Sequence, residues 1–78
     1  MTGAKDPTRA GRYILRAMLN GRQVNAPQYG WDDLADALFV ALELAENAPR
    51  SSSWIIADRA DDVDLVRIGF KLSIDYLA

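Results

Sequence analysis

From Val66 to Tyr76 the chain LVRIGFKLSIDYL alternates apolar and polar side chains almost without a break. Plotted as a helix, its apolar residues scatter around the circumference. Read as a strand, Val66, Ile68, Phe70, Leu72, Ile74 and Tyr76 all face one way, with Arg67, Gly69, Lys71, Ser73 and Asp75 on the other face. The pattern predicts one long strand.

Residues 31–47, WDDLADALFVALELAEN, have the opposite periodicity. Leu34, Leu38, Ala41, Leu42 and Ala45 recur at helical spacing. Asp32 and Asp33 provide a cap and negative charge at the positive end, and Asn47-Ala48-Pro49 ends the helix. The apolar arc is wide, because Phe39, Val40 and Leu44 flank the stripe. That surplus hints at self-association into a homodimer.

The segment GRYILRAMLNGRQVNAPQYG supports two readings. A helix would run from Asp6 and Pro7 to a stop at Gly21, with Gly11 inside it costing about 1 kcal/mol relative to alanine. A hairpin would turn at Asn20-Gly21, a dipeptide suited to a two-residue loop in which both positions take positive φ. Leu19 then faces Arg22, Ala17 faces Val24 and Leu15 faces Ala26. This hairpin is preferred because it collects Tyr13, Leu15, Ala17, Leu19, Val24 and Ala26 on one side.

Pro49 to Ser53 reads as a loop, Trp54-Ile55-Ile56-Ala57 as a short strand, and DRADD as a turn. The expected fold is therefore α+β. It has a four-stranded antiparallel sheet in the order strand-strand-helix-strand-strand, with the helix packed on one face. The alternative replaces the first hairpin by a helix. Residues 1–10 are expected to be a flexible tail and residues 11–78 a single domain.

Composition narrows the chemistry. A 78-residue domain buries only about 60% of the surface of its unfolded chain, so surface recognition is easier to build than an enclosed catalytic cleft. Cysteine and histidine are both absent, which removes thiol nucleophiles, disulfides, imidazole bases and the usual zinc sites. The N-terminus has no apolar core of the signal-peptide kind, and no apolar run is long enough to cross a bilayer; a cytoplasmic protein, in a bacterial host if phage-encoded, is expected.

Asp58, Asp61, Asp62 and Asp64 form an acidic cluster without the glycine and terminal glutamate of a calcium loop, so it reads as a solvated turn. The glycines form no phosphate-cradling motif. No catalytic residue, metal site or cofactor is assigned.

Charge adds one candidate surface. Residues 1–30 hold five cations against one acid, and residues 31–78 hold four against ten. On the expected sheet, Arg12, Arg16, Arg67 and Lys71 converge on the face away from the helix, among Gln23, Asn25 and Ser73. Ile14 and Met18 stand there as exposed apolar anchors. Such a face would dock an acidic partner, a larger protein or nucleoprotein complex. Direct nucleic-acid binding is less favoured, because the net charge is −2 and this row has no aromatic residue.

A short chain with GRYILRAMLNGRQV as hairpin, WDDLADALFVALELA as helix, and SSWIIADR and VRIGFKLSIDYL as strands resembles several small anti-CRISPR proteins encoded by bacteriophages. The resemblance is one of layout over residues 11–77 and carries no residue roles. It implies a non-enzymatic inhibitor that binds a CRISPR effector complex and blocks target DNA binding or nuclease recruitment. A small nucleic-acid-binding regulator and a small metal-dependent hydrolase built on Asp61 and Asp62 are the alternatives.

Overall fold

In the computed structural model, which describes residues 8, 10–24, 29–47 and 50–78, the first segment is a hairpin. Asn20 and Gly21 both take positive φ, 53° and 79°. Strand β1 (Tyr13–Leu19) turns back into β2 (Arg22–Gln23) in the expected register, Leu19 opposite Arg22 and Met18 opposite Gln23. Val24 N–H donates to the Ala17 carbonyl at 2.8 Å. The pairing of Leu15 with Ala26 falls outside the described residues.

The chain continues through β3 (Gly30–Trp31), α1 (Leu34–Glu46), β4 (Ser52–Asp58), β5 (Val63–Gly69), a tight turn at Phe70–Leu72 and β6 (Ser73–Tyr76). The sheet is antiparallel in the order β2-β1-β4-β5-β6, and β3 lies beside the start of β1 on the edge that β2 shares. The α+β class is as expected, but there are six strands rather than four. β4 starts two residues earlier than expected, so Ser52 and Ser53 belong to a strand and not to a loop.

The largest departure is the segment 65–77, which is two strands and not one. Lys71 and Leu72 take φ of 57° and 56°, and the chain folds back so that Val66 faces Tyr76, Ile68 faces Ile74 and Gly69 faces Ser73. Facing residues have the same parity in the numbering. The period of two therefore runs unbroken through the turn, and alternation alone cannot tell the hairpin from a straight strand. Phe70 and Leu72 leave the apolar row and form the turn instead.

β3 escaped the sequence pattern because it is two residues long and rests on a backbone approach. Gly11 and Gly30 are both buried, and a side chain on Gly30 would come within 2.8 Å of the Gly11 and Tyr13 carbonyl oxygens. Thr8, expected in the tail, exchanges two backbone hydrogen bonds of 2.8 Å with Gly30. Of that tail, residues 1–7 and 9 lie outside the described residues, and Ala10 is exposed in a turn.

Helix α1 packs on the sheet through Ala37, Ala41 and Ala45, which with Trp31, Ile56, Val66 and Ile68 form the buried core. Small residues at four-residue spacing let the helix approach the sheet closely. Leu34, Leu38 and Leu42 are displaced to one flank, where they are half-buried. Asp33 occupies the cap position but makes no side-chain cap bond, so its contribution, with Asp36, is charge at the helix start. Between Ile56/Val66 and Ala57/Asp64 a bulge inserts Leu65, which joins the core contacts. No helix among the described residues is long and apolar enough to cross a membrane.

Candidate functional site

The cross-strand register fixes what each face displays. On the face away from α1, one row reads Arg16, Ile55, Arg67, Asp75 across β1, β4, β5 and β6, and the next reads Ile14, Ala57, Asp64. Arg16 and Arg67 therefore do share the open face. Each has an acid beside it: Arg16 pairs with Asp64, and Arg67 donates to Asp75 at 2.9 Å. Arg16 Nε is buried and makes no hydrogen bond of its own.

The other expected members do not join them. Lys71 sits in the β5–β6 turn, its ammonium 5.6 Å from the centre of the Phe70 ring. Arg12 lies at the opposite end of the strands. Ile14, expected as an exposed anchor, is 8% exposed because β3 crosses beside it. Met18 is half-buried, Gln23 is exposed, and Asn25 falls outside the described residues.

Arg12 forms the best-defined polar contact. Its Nε and Nη2 donate to the two carboxylate oxygens of Asp58 at 2.9 and 2.8 Å, a bidentate pair, and Asp61 stands 3.5 Å away. Asp58 also accepts from the backbone N–H of Ala60, closing the turn after β4. The Arg12 hydrogen bonds hold the Asp58 carboxyl down at about 2, against the opposing effect of its burial. Carboxyl and guanidinium stabilise each other's charged forms, which is a structural role.

The acidic run is thus divided. Asp58 holds the turn, Asp64 pairs with Arg16, and Asp62 takes a φ of 52°, a conformation aspartate tolerates. No three carboxylates among the described residues are arranged to hold a metal ion.

Charge separates along the strands rather than between two faces. The end holding the 59–62 turn and the start of α1 gathers Asp32, Asp33, Asp58, Asp61 and Asp62 around Arg12 and Arg59. At the other end, near the 20–21 and 70–72 turns, Arg22, Arg50, Arg67 and Lys71 stand with Glu46 and Asp75.

An apolar site that the sequence pattern missed lies at the β6 edge. On the helix side Leu34, Leu38 and Leu42 form one wall of a groove of about 380 Å³, with Leu65 and Val66 as its floor and Ile74 and Tyr76 as the far wall. Ile74 is 44% exposed and Tyr76 84% exposed, although both were expected in the core. The fold-back explains this. It carries them one strand beyond β5, and α1, centred over Ile56 and Ile68, does not reach that far.

Among the described residues β6 is also an unpaired edge. Leu77 N–H donates to the Leu65 carbonyl at 2.9 Å, so by antiparallel alternation Arg67 and Asp75 form the next hydrogen-bonded pair. Ile74 and Tyr76 then turn their own N–H and C=O groups outward. The same two residues offer backbone to an added strand and side chains to the groove. Its helix wall comes from the stripe that was expected to be buried, not from the surplus Phe39, Val40 and Leu44, and nothing in the alternation 66–76 marked the other wall.

In comparison with protein-family models, curated proteins and solved structures, the chain matches none.

Proposed function

We propose that this chain is a non-catalytic protein-binding module that takes an extended segment of its partner as an added strand along β6. The observation that supports it is the coincidence at Ile74 and Tyr76 of free backbone groups with exposed side chains beside the Leu34–Leu38–Leu42 wall. An added strand would gain main-chain hydrogen bonds, and its alternate side chains would cover the groove. Its intervening residue would face Asp75, which favours a polar or cationic side chain there. A second copy is a poorer occupant. Two β6 strands fully overlapped across a two-fold axis would set Asp75 against Asp75 of the other copy.

A library of displayed random peptides, selected on the immobilised chain, tests this. Selected peptides should alternate apolar and polar residues and shift the amides of Ser73 to Leu77 in NMR spectra. They should bind the Tyr76→Lys variant at least about tenfold more weakly, since a large exposed aromatic is the expected anchor. Peptides that map elsewhere, or that bind this variant as well as the parent chain, would sink the proposal. A dimer of the chain in sedimentation, dispersed by Tyr76→Lys, would give the edge to a second copy instead.

The resemblance to anti-CRISPR proteins extends the proposal to an inhibitor whose partner is a bacterial CRISPR effector complex. In a plasmid-interference assay the chain should then restore transformation, and Tyr76→Lys should not.

A further inference from the structure

A depression of about 410 Å³ lies on the open face at the turn end of the sheet, away from the β6 groove. Arg50, Ser51, Ser52, Ser53, Arg67 and Ser73 line it. Three separate pieces of chain meet there: the Asn20-Gly21 turn, the start of β4 and the β5–β6 turn. Arg50 stacks on the Phe70 ring, 5.3 Å from its centre, which holds its guanidinium over the rim. None of the side-chain hydrogen bonds among the described residues uses a hydroxyl of Ser51, Ser53 or Ser73, and Ser52, whose side chain alternates to the helix face, borders the site through its backbone. One acid borders the site, Asp75, and its carboxylate already accepts from Arg67.

Gly69 supplies the space. It lies on the open face in the row of Ser53 and Ser73, and a Cβ placed on it would meet Ser53 Cβ at 3.7 Å and the Ser52 carbonyl at 4.0 Å. Those are ordinary contacts, so a side chain fits there without moving the backbone and would occupy the floor of the depression. Two guanidinium groups, several uncommitted hydroxyl donors and an open floor form a donor set suited to a tetrahedral oxyanion.

We propose that this depression binds a single phosphate-type oxyanion, free or as the monoester of a small molecule. Arg50 and the hydroxyls of Ser51, Ser53 and Ser73 are its main donors, with the remaining N–H groups of Arg67 as a second anchor. Asp75 opposes the anion, both by its own charge and by engaging Arg67. Its removal should therefore tighten binding, an effect that damage to the fold would not produce.

The test is an NMR titration of the full chain with inorganic phosphate and, separately, with O-phosphoserine, at ionic strength held constant with chloride. Saturable shifts are expected at the amides of Ser51, Ser52, Ser53, Gly69 and Ser73, with a midpoint on the order of 1 mM or tighter. Arg50→Gln should weaken binding about tenfold, as expected for loss of a charge-assisted donor. Asp75→Asn should tighten it about threefold, as expected for removal of a like charge a few ångströms away. Gly69→Val should abolish it by filling the floor. The tighter of the two ligands tells whether the free or the esterified anion is preferred. Shifts that never saturate, that keep the parent midpoint in Arg50→Gln, or that map to the Arg12 end would overturn the proposal. Arg50 and Asp75 are exposed, so the test does not depend on Gly69→Val folding.

Discussion

Replacing Gly11 by alanine separates two readings of the N-terminal half by the sign of its effect. In the structure, a Cβ on Gly11 would overlap the carbonyl group of Gly30 and stand 2.5 Å from the Trp31 nitrogen. These are backbone atoms, so no rotamer change relieves the overlap, and β3 has to move away. That movement breaks the two Thr8–Gly30 hydrogen bonds, each contributing about 1 kcal/mol, and displaces Trp31, which is 6% exposed. With about 1–3 kcal/mol for overpacking, the loss should be about 3 kcal/mol or more. A domain of 78 residues has a total stability of only about 4–12 kcal/mol. The thermal midpoint, followed by far-UV circular dichroism, should fall by about 12–24 °C at roughly 4–8 °C per kcal/mol. Were residues 8–20 a helix, the same substitution would stabilise the chain by about 1 kcal/mol and raise the midpoint. A Gly11→Ala variant melting at or above the parent would refute the close backbone approach of Gly11 and Gly30.

Asp58 makes stability depend on pH. Its folded pKa of about 2 lies below the ordinary 3.8, so unfolding takes up a proton in acid; its contribution is full above the ordinary value and is lost as pH falls towards 2. Urea midpoints measured from pH 5 down to about pH 2 should fall more steeply for the parent than for Asp58→Asn, and parallel profiles would contradict the Arg12 pairing. Ile14→Ala should cost about 2–5 kcal/mol in urea denaturation, because the side chain is only 8% exposed; a change within about 0.5 kcal/mol would mean that Ile14 is exposed after all.

The candidate sites differ in how far the sequence announced them. Arg16 and Arg67 were placed correctly on the open face, because a hairpin turning at Asn20-Gly21 sets the parity of β1 and the alternation 66–76 sets that of β5. Their partners were not legible. Asp64 reaches Arg16 across a bulge that shifts the register at Leu65, and Asp75 comes beside Arg67 only because the chain turns back at Lys71. A row that reads as cationic along one strand is thus balanced by acids arriving from the next.

The sequence by itself determined the elements whose signals are local. Asn20-Gly21 dictates positive φ at two adjacent positions, and with it the first hairpin. The four-residue spacing through residues 31–47 dictates an amphipathic helix. Alternation over 66–76 dictates extended chain with one apolar face. Only the tertiary structure decided where that extended chain folds back, because a three-residue turn conserves the parity of every side chain and leaves no trace in the pattern. That choice moves Ile74 and Tyr76 from beneath the helix to an open edge, takes Lys71 off the sheet face, and brings Ser73 beside Arg50 and the β4 serines. Both candidate sites follow from a turn whose register is set by nonlocal packing: one helix is wide enough to cover β1, β4 and β5, and β6 is left beyond its reach.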